Sequence, residues 1–442
     1  MRGFAKGVGA FVLTMAVCMG LLLAVCALIP QEIIRESCLQ TDAYFQKTVN
    51  YPMLVEGAEI TRMDNYADAA LMGVIWHADT QHPLQSMISA RYRHTDGGPI
   101  RQEFHESVAE GAEANNEYSR YWHGSQVLVR PLLTFASIEG VRAILFGLLM
   151  AMVAVLSVLL VRQKALRALL AFWAGLLLVH FWMTAFTLEY LMPFLVMTGT
   201  CIAVALLWRE MGERRESRMT AICIVSGAVA CFVDFLTTET LTFTVPVLLW
   251  LMLYKEHGGE RLPFRRIMGL LLRWGIAWLG AYAAAFLLKW LLVWLVLGRD
   301  ALMNALSVAA MRMERAIEVE GLAQPVSVSS FRQIPDMLAF NMGALFPFAS
   351  SGGAWLLAGV LAVLGMVFYL FRGRDTDGAF IAALLLAGLI PYVRFMALSS
   401  HSLDHWFFTY RAQMAGVMAV FAVMTYSLNP GEVLGKKKRR KW

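Results

Sequence analysis

The feature that most limits what this chain can become is the length and spacing of its apolar runs. A helix that crosses a bilayer needs about 20 mostly apolar residues. Ten stretches qualify: 8–29, 141–161, 166–186, 190–208, 219–236, 238–254, 268–297, 353–371, 378–397 and 406–427. In hydrocarbon a backbone must satisfy its own N–H and C=O groups, so runs of this length are read as helices. The expected fold class is an all-α polytopic membrane protein with about ten transmembrane helices. Composition supports this where it decides something. Of the 442 residues 58% are hydrophobic and 16% charged, well below the roughly 25% charged of a soluble chain. A soluble enzyme, a disordered chain and a single-pass receptor are excluded.

Arg2 and Lys6 precede the first run, which lacks an Ala-x-Ala site, so 1–29 reads as an uncleaved signal-anchor. Lysine and arginine then set the orientation. Arg162, Lys164 and Arg167 follow the second run, and Arg209, Arg214, Arg215 and Arg218 the fourth. Lys255, Arg261, Arg265 and Arg266 follow the sixth, Arg372 and Arg374 the eighth, and Lys436 to Lys441 the tenth. Every second connection is basic, which places both termini in the cytoplasm. The expected order is the anchor, an extracytoplasmic segment 30–140, transmembrane helices two to seven over 141–297, and an extracytoplasmic loop 298–352. Helices eight to ten follow over 353–428, with a basic tail 429–442. The net charge of +6 lies largely in the short loops and this tail, so it points to anionic membrane lipid and not to nucleic acid. Compact loops without a retrieval signal suggest a bacterial plasma membrane. Five of the six cysteines (Cys18, Cys26, Cys201, Cys223 and Cys231) lie in apolar runs, where they act as small hydrophobes. Cys38 stands outside them, and no disulfide framework is expected.

Once orientation is assigned, the unusual polar residues fall on the extracytoplasmic side. They are Glu189 between spans three and four, and Asp234, Thr237, Thr238 and Glu239 between spans five and six. Arg394, His401, Asp404, His405, Tyr410 and Arg411 surround the last connection. Asp64, Asp68, Tyr121, Trp122, His123 and Arg130 belong to the first outer segment. Ionisable groups at membrane depth are expensive unless they face a protein interior or a wet cavity. Capping of helix ends explains any one of them, but acids and bases from several spans at one depth imply a single polar cavity.

The segment 30–140 is too long for a connector. Met63–Ala78 has apolar residues at helical spacing with an acidic edge, which predicts an amphipathic helix lying on the membrane surface. Asp64 and Asp68, four apart, are then expected on one face. Residues 79–117 read as a mobile, exposed excursion with His77, His82, His94 and His105 solvated in or beside it. Tyr118–Leu133 reads as a second surface-lying piece. In the loop 298–352, an amphipathic pattern over 301–319 carries Arg312, Glu314, Arg315 and Glu318, followed by Pro325. A lid over a ligand and a passive cap both fit it.

An aspartate at such a surface can take the proton from an attacking hydroxyl, or hold a divalent metal beside a phosphate. Arg394, Arg411, His401 and His405 are the candidates for neutralising a phosphate leaving group. Tyr121, Trp122, His123, Arg130, Asp234, Glu239 and Tyr410 are the candidates for contacting a sugar or an acceptor. The spacing of His401 and His405 suits zinc on a helix, yet no third ligand is evident, so phosphate contact or capping is preferred. His180, inside the third run, is expected to be hydrogen-bonded within the bundle.

The topology and the early acidic motif resemble the GT-C superfamily of polyprenyl-phosphate-dependent membrane glycosyltransferases. The shared features are an uncleaved first span, a long outer segment with surface helices and acids, and a polytopic bundle. The resemblance implies that Asp64, within Met63-Asp64-Asn65-Tyr66, corresponds to the catalytic aspartate, with Asp68 as a second acid. It implies a lipid-linked sugar donor, a glycan, lipid or protein acceptor, and inverting transfer. A divalent cation, Mg²⁺ or Mn²⁺, is left open. Two other functions also fit the sequence: a polysaccharide polymerase or ligase using its late loop, and a transporter or flippase of a lipid-linked or anionic substrate.

Overall fold

Helices carry most of the described chain in the computed structural model, which describes residues 2–95, 97–211, 214–233, 236–314, 330–346, 352–373 and 375–429. Asp234, Arg315, Glu318, Pro325, Arg374 and the basic tail lie outside the described residues. The order begins with α1 (Arg2–Leu28), α2 (Gln31–Gln46), α3 (Asn65–Trp76), α4 (Pro83–Ser89), α5 (Ile100–Val108) and α6 (Gln126–Leu132). Strands β1 (Arg91–Tyr92) and β2 (Asn116–Glu117) form one small antiparallel pair among them. The bundle follows: α7 (Ile138–Arg162), α8 (Leu166–Leu178), α9 (Leu188–Met211), α10 (Arg215–Val233), α11 (Leu241–Glu256) and α12 (Phe264–Leu297). It ends with α13 (Arg299–Glu314), α14 (Ser330–Gly343), α15 (Gly353–Phe371), α16 (Gly378–Ala397), α17 (Ser399–Asp404), α18 (Trp406–Thr409) and α19 (Met414–Ser427).

Among the described residues, 8 helices are long and apolar enough to cross a membrane: α1, α7, α9, α10, α12, α15, α16 and the stretch Trp406–Ser427. Their outer faces carry the apolar surface a bilayer covers. Leu272, Ile276 and Leu279 of α12 are 60–65% exposed, and on α15 only Gly353 and Leu357 are buried. The protein is therefore an all-α integral membrane protein.

Two of the ten expected spans take another form. In 166–186 the helix stops after the 13 residues of α8 and a 3₁₀ turn, Phe181–Ala185, follows. His180 breaks it with φ 52°, held there by a 2.9 Å hydrogen bond between its Nδ1 and the Tyr410 hydroxyl. In 238–254, α11 has 16 residues and every one from Leu241 to Leu253 is buried. At 1.5 Å per residue it is about 24 Å long, shorter than a bilayer core of about 30 Å. It is a central strut walled by α8, α9, α10, α12, α16 and α19. Glycine lets the surrounding helices close in: a Cβ on Gly227 of α10 would lie 2.3 Å from the Trp278 carbonyl of α12.

The first outer segment departs from expectation more strongly. Residues 68–76 of α3 are all buried, so it is a core helix and not one lying on a membrane surface. Its acidic edge does not need solvent because protein groups satisfy it. The polar stretch 79–117 is folded too. Ile100, Phe104 and Val108 repeat every fourth residue along α5 and bury one stripe, with Phe104 edge-on to Phe45 of α2. The histidines here are engaged: His77 with Ser107 at 3.0 Å, His82 with Asp79, His94 with Glu103 and His105 with Asp42. Burial pushes His77 down to about 4. All six cysteines are free and buried, Cys38 included.

Candidate functional site

At one end of the bundle the start of α3, the start of α9, the turn at 118–123 and the α17–α18 segment enclose a cavity of about 130 Å³. That is room for roughly ten waters. Its wall includes Asp64, Glu189, Arg120, His123, His401 and His405, with Tyr51, Tyr66, Tyr92, Tyr118 and Tyr121 around them.

Asp64 is the N-cap of α3. Its backbone is at φ −117°, ψ 79°, outside the helical region, and its Oδ1 accepts the Ala67 N–H at 2.8 Å. Its own N–H donates to Thr187 Oγ1 at 3.1 Å. The carboxyl group is also hydrogen-bonded to the Glu189 side chain, and burial pushes it up to about 7. Two carboxyl groups joined by a hydrogen bond hold a proton between them, so the pair titrates as a unit.

Asp68, the other acid of the motif, is turned away from this cavity. Arg142 of α7 reaches it with Nε at 2.8 Å and Nη2 at 2.6 Å, and both carboxyl oxygens accept from the Leu188 N–H. The Glu189 N–H donates to it as well. Burial pushes Asp68 up, while Arg142 and these backbone donors oppose that. Asp68 therefore caps the start of α9 from another part of the chain and neutralises Arg142. Through the cap it sets where Glu189 stands against Asp64.

A sharp turn presents the aromatic residues. His123 has φ 53°, and Gly124 lies so close to Phe232 that a Cβ would meet its ring at 2.3 Å. Burial pushes His123 down to about 3, so the ring is neutral, and its Nε2 donates to the Tyr118 carbonyl at 2.8 Å. Tyr121 faces the cavity, while Trp122 points the other way and donates to the Ala285 carbonyl of α12 at 3.0 Å. The Arg120 guanidinium lies 4.1 Å from the Tyr118 ring centroid and 5.4 Å from that of Tyr121. Among the described residues it has no carboxylate partner, and its Nε is without a hydrogen bond. On the opposite wall His401 and His405 stand with ring centroids 4.7 Å apart, and His405 stacks on Phe408 at 5.1 Å.

Of the described residues given a chemical role from the sequence, Asp64, Tyr121, His123, His401 and His405 meet at this cavity, and seven others do not. Besides Asp68 and Trp122, Arg130 is fully buried and holds the carbonyls of Ile29, Ile75 and Ala78, closing the ends of α1 and α3. Arg394 pairs with Glu239 at 2.9 Å and donates to Ser402 Oγ and the Leu236 carbonyl. The Tyr410 hydroxyl is bound to His180 and the Val179 carbonyl. Arg411 is 1% exposed, one layer behind the wall, with its guanidinium 4.4 Å from the Tyr190 ring centroid. It donates from Nη1 to the Phe407 carbonyl at 3.0 Å, while its Nε and Nη2 have no partner among the described residues.

Glu189 was expected among the polar residues of the cavity but given no role, and Arg120, Tyr51, Tyr66, Tyr92 and Tyr118 were not among the expected site residues. One signal pointed to the tyrosines: of the chain's 13, those at 44, 51, 66, 92, 118 and 121 all fall in the segment 30–140. No group of three or more His, Cys, Asp or Glu side chains is placed to hold a metal among the described residues. No family model, curated protein or solved structure matches the chain.

Proposed function

We propose that this protein is a membrane glycosyltransferase of the GT-C kind. It moves a sugar from a polyprenyl-phosphate or pyrophosphate donor to a hydroxyl of a glycan, lipid or protein acceptor. The observation that carries the reading is the hydrogen-bonded pair Asp64 and Glu189 in the wall of a cavity rich in tyrosine and histidine. In this reading α8 with its 3₁₀ turn and α11 complete ten crossings. Both termini are then cytoplasmic and the cavity is extracytoplasmic, in a bacterial plasma membrane.

The acceptor oxygen attacks the anomeric carbon, the bond from that carbon to the phosphate oxygen breaks, and its electron pair leaves with the lipid phosphate. Asp64 takes the acceptor proton. A carboxylate titrating near 7 is a far better base at neutral pH than an ordinary one. Direct displacement inverts the anomeric centre. Arg120, His401 and His405 receive the charge growing on the phosphate, with Arg411 adding a buried positive field behind Tyr190. The tyrosine rings hold the sugar face. A divalent cation, if bound, would take carboxylate oxygens from Asp64 and Glu189 and neutralise phosphate charge; none of the steps above passes through it.

The test is release of polyprenyl phosphate from a panel of labelled lipid-linked sugars by the purified protein in nanodiscs. Turnover lost on Asp64→Asn, with donor binding retained, supports the reading. Movement of labelled lipid between leaflets, equal in wild type and Asp64→Asn and without release of lipid phosphate, would instead establish a transporter.

A further inference from the structure

The opposite end of the bundle carries a second cavity of different chemistry. Lys289, near the last turns of α12, bonds the Met87 and Ile88 carbonyls of the cavity-side segment at 3.1 and 2.8 Å. The first turns of α12 are therefore at the far end, with Arg273 about 24 Å along the axis from Lys289. There a groove of about 530 Å³ is lined by Arg265, Arg266, Gly269, Leu270 and Arg273 of α12 and by Glu216 of α10.

The positions 265, 266, 269 and 273 recur at three- and four-residue steps, so they share one face, and all four are exposed. Three guanidiniums and one carboxylate line the groove. Arg266 holds both Glu216 oxygens, at 2.8 and 2.7 Å, which largely neutralises that acid. Arg265 and Arg273 have no carboxylate within 4.0 Å among the described residues, so the groove keeps two uncompensated charges. Gly269 lies between them, where a side chain would meet nothing within 4 Å; its bare backbone leaves the groove floor open. The adjacent face of α12 begins the lipid-covered surface at once, with Leu272 65% and Ile276 63% exposed. A ligand for this place needs an anionic oxygen cluster that two guanidinium forks can grip. It also needs an apolar portion that lies along Leu272 and Ile276.

We infer that the groove between the start of α12 and Glu216 binds the headgroup of an anionic phospholipid, whose acyl chains run along α12. A free phosphate would satisfy the arginines but not the apolar flank. This site is independent of the sugar-transfer reading and stands if that reading fails.

The test uses the full chain in detergent, titrated with phosphatidylglycerol or phosphatidylcholine of the same acyl chains and followed by native mass spectrometry. Phosphatidylglycerol, whose phosphate charge is not offset by a cationic choline, is expected to be retained about tenfold more strongly or better by two uncompensated arginines. Arg265→Ala with Arg273→Ala should abolish that preference without changing the melting temperature, since both side chains are exposed. Gly269→Leu keeps every charge and fills the floor, so it should weaken phosphatidylglycerol retention as well. Equal retention of the two lipids by the wild type overturns the proposal. So does a preference that survives these variants but disappears when Lys436 to Lys441 are replaced by alanine, because the tail is then the lipid site. Displacement of phosphatidylglycerol by inorganic phosphate at equal concentration would mark a free-anion site and also refute it.

Discussion

Asp64 and Asp68 stand four residues apart, both buried, yet their surroundings differ in kind. Asp68 is provided for on every side, by the Arg142 fork and by the backbone N–H groups that open α9. Asp64 has backbone donors as well, but its side-chain partner is another acid, Glu189. The first arrangement is that of a structural joint, whose charges are fixed whether or not a ligand is present. The second holds a carboxyl group near its neutral point beside a cavity, where it can give or take a proton with little rearrangement. Burial alone does not separate the two roles; the identity of the neighbour does.

The comparison can be broken in four ways, from the largest expected effect to the smallest. Asp64→Asn should lower transfer by about 10²–10⁴-fold, the usual worth of a general base, with the purified protein still monodisperse on gel filtration. Arg142→Ala should do the reverse, harming the fold first. Leaving Asp68 buried without its partner costs about 3–5 kcal/mol, read as a lower thermal-unfolding midpoint in detergent. If Arg142→Ala melts like wild type while Asp64→Asn melts well below it, the assigned roles are exchanged. Arg411→Ala should raise the apparent KM for a lipid-phosphate donor by a few-fold, on the order of what a buried charge one layer behind the cavity wall contributes to anion binding. An unchanged KM would place Arg411 outside donor binding.

The fourth test is pH. Because Asp64 is raised to about 7, transfer should climb through a limb centred near there as the group becomes a base. Glu189→Gln should move that limb to lower pH, since an amide can donate to the Asp64 carboxylate without competing for a proton. Stability runs the other way. A carboxyl raised by folding contributes stability that is complete below the ordinary carboxylate range and is lost as pH rises through about 7. Asp64→Asn should therefore unfold at a higher temperature than wild type at pH 8, with the gap closing towards pH 4.

Much of the architecture was legible because hydrocarbon-length runs leave few choices, and the depth of polar residues follows from their distance to those runs. Direction around a helix does not. Trp122 and His123 are neighbours in sequence and at the same depth, but a turn with positive φ at His123 sends the indole into the bundle and leaves the imidazole on the cavity wall. The pairing of Asp64 with Asp68 on one face assumed that both are helical, and the N-cap conformation of Asp64 removes that assumption. The acidic edge of α3 read as water-facing because Arg142 and Thr187, distant in sequence, satisfy it. In 79–117 the stripe Ile100, Phe104 and Val108 was present but diluted by charged neighbours. Glu189 was visible as an acid at a helix start; only folding places it against Asp64.

The enclosure of α11 bears on how the chain is assembled. Its neighbours α8, α9 and α10 are synthesised before it, but α12, α16 and α19 emerge only later. When α11 leaves the ribosome, part of its surface has no protein to meet. Apolar residues on all its faces let it wait against acyl chains until the C-terminal helices arrive. The wall bearing His401 and His405 comes with those last helices, so the cavity is completed at the end of biogenesis. A chain halted before α16 has Asp64 and Glu189 but no opposing wall.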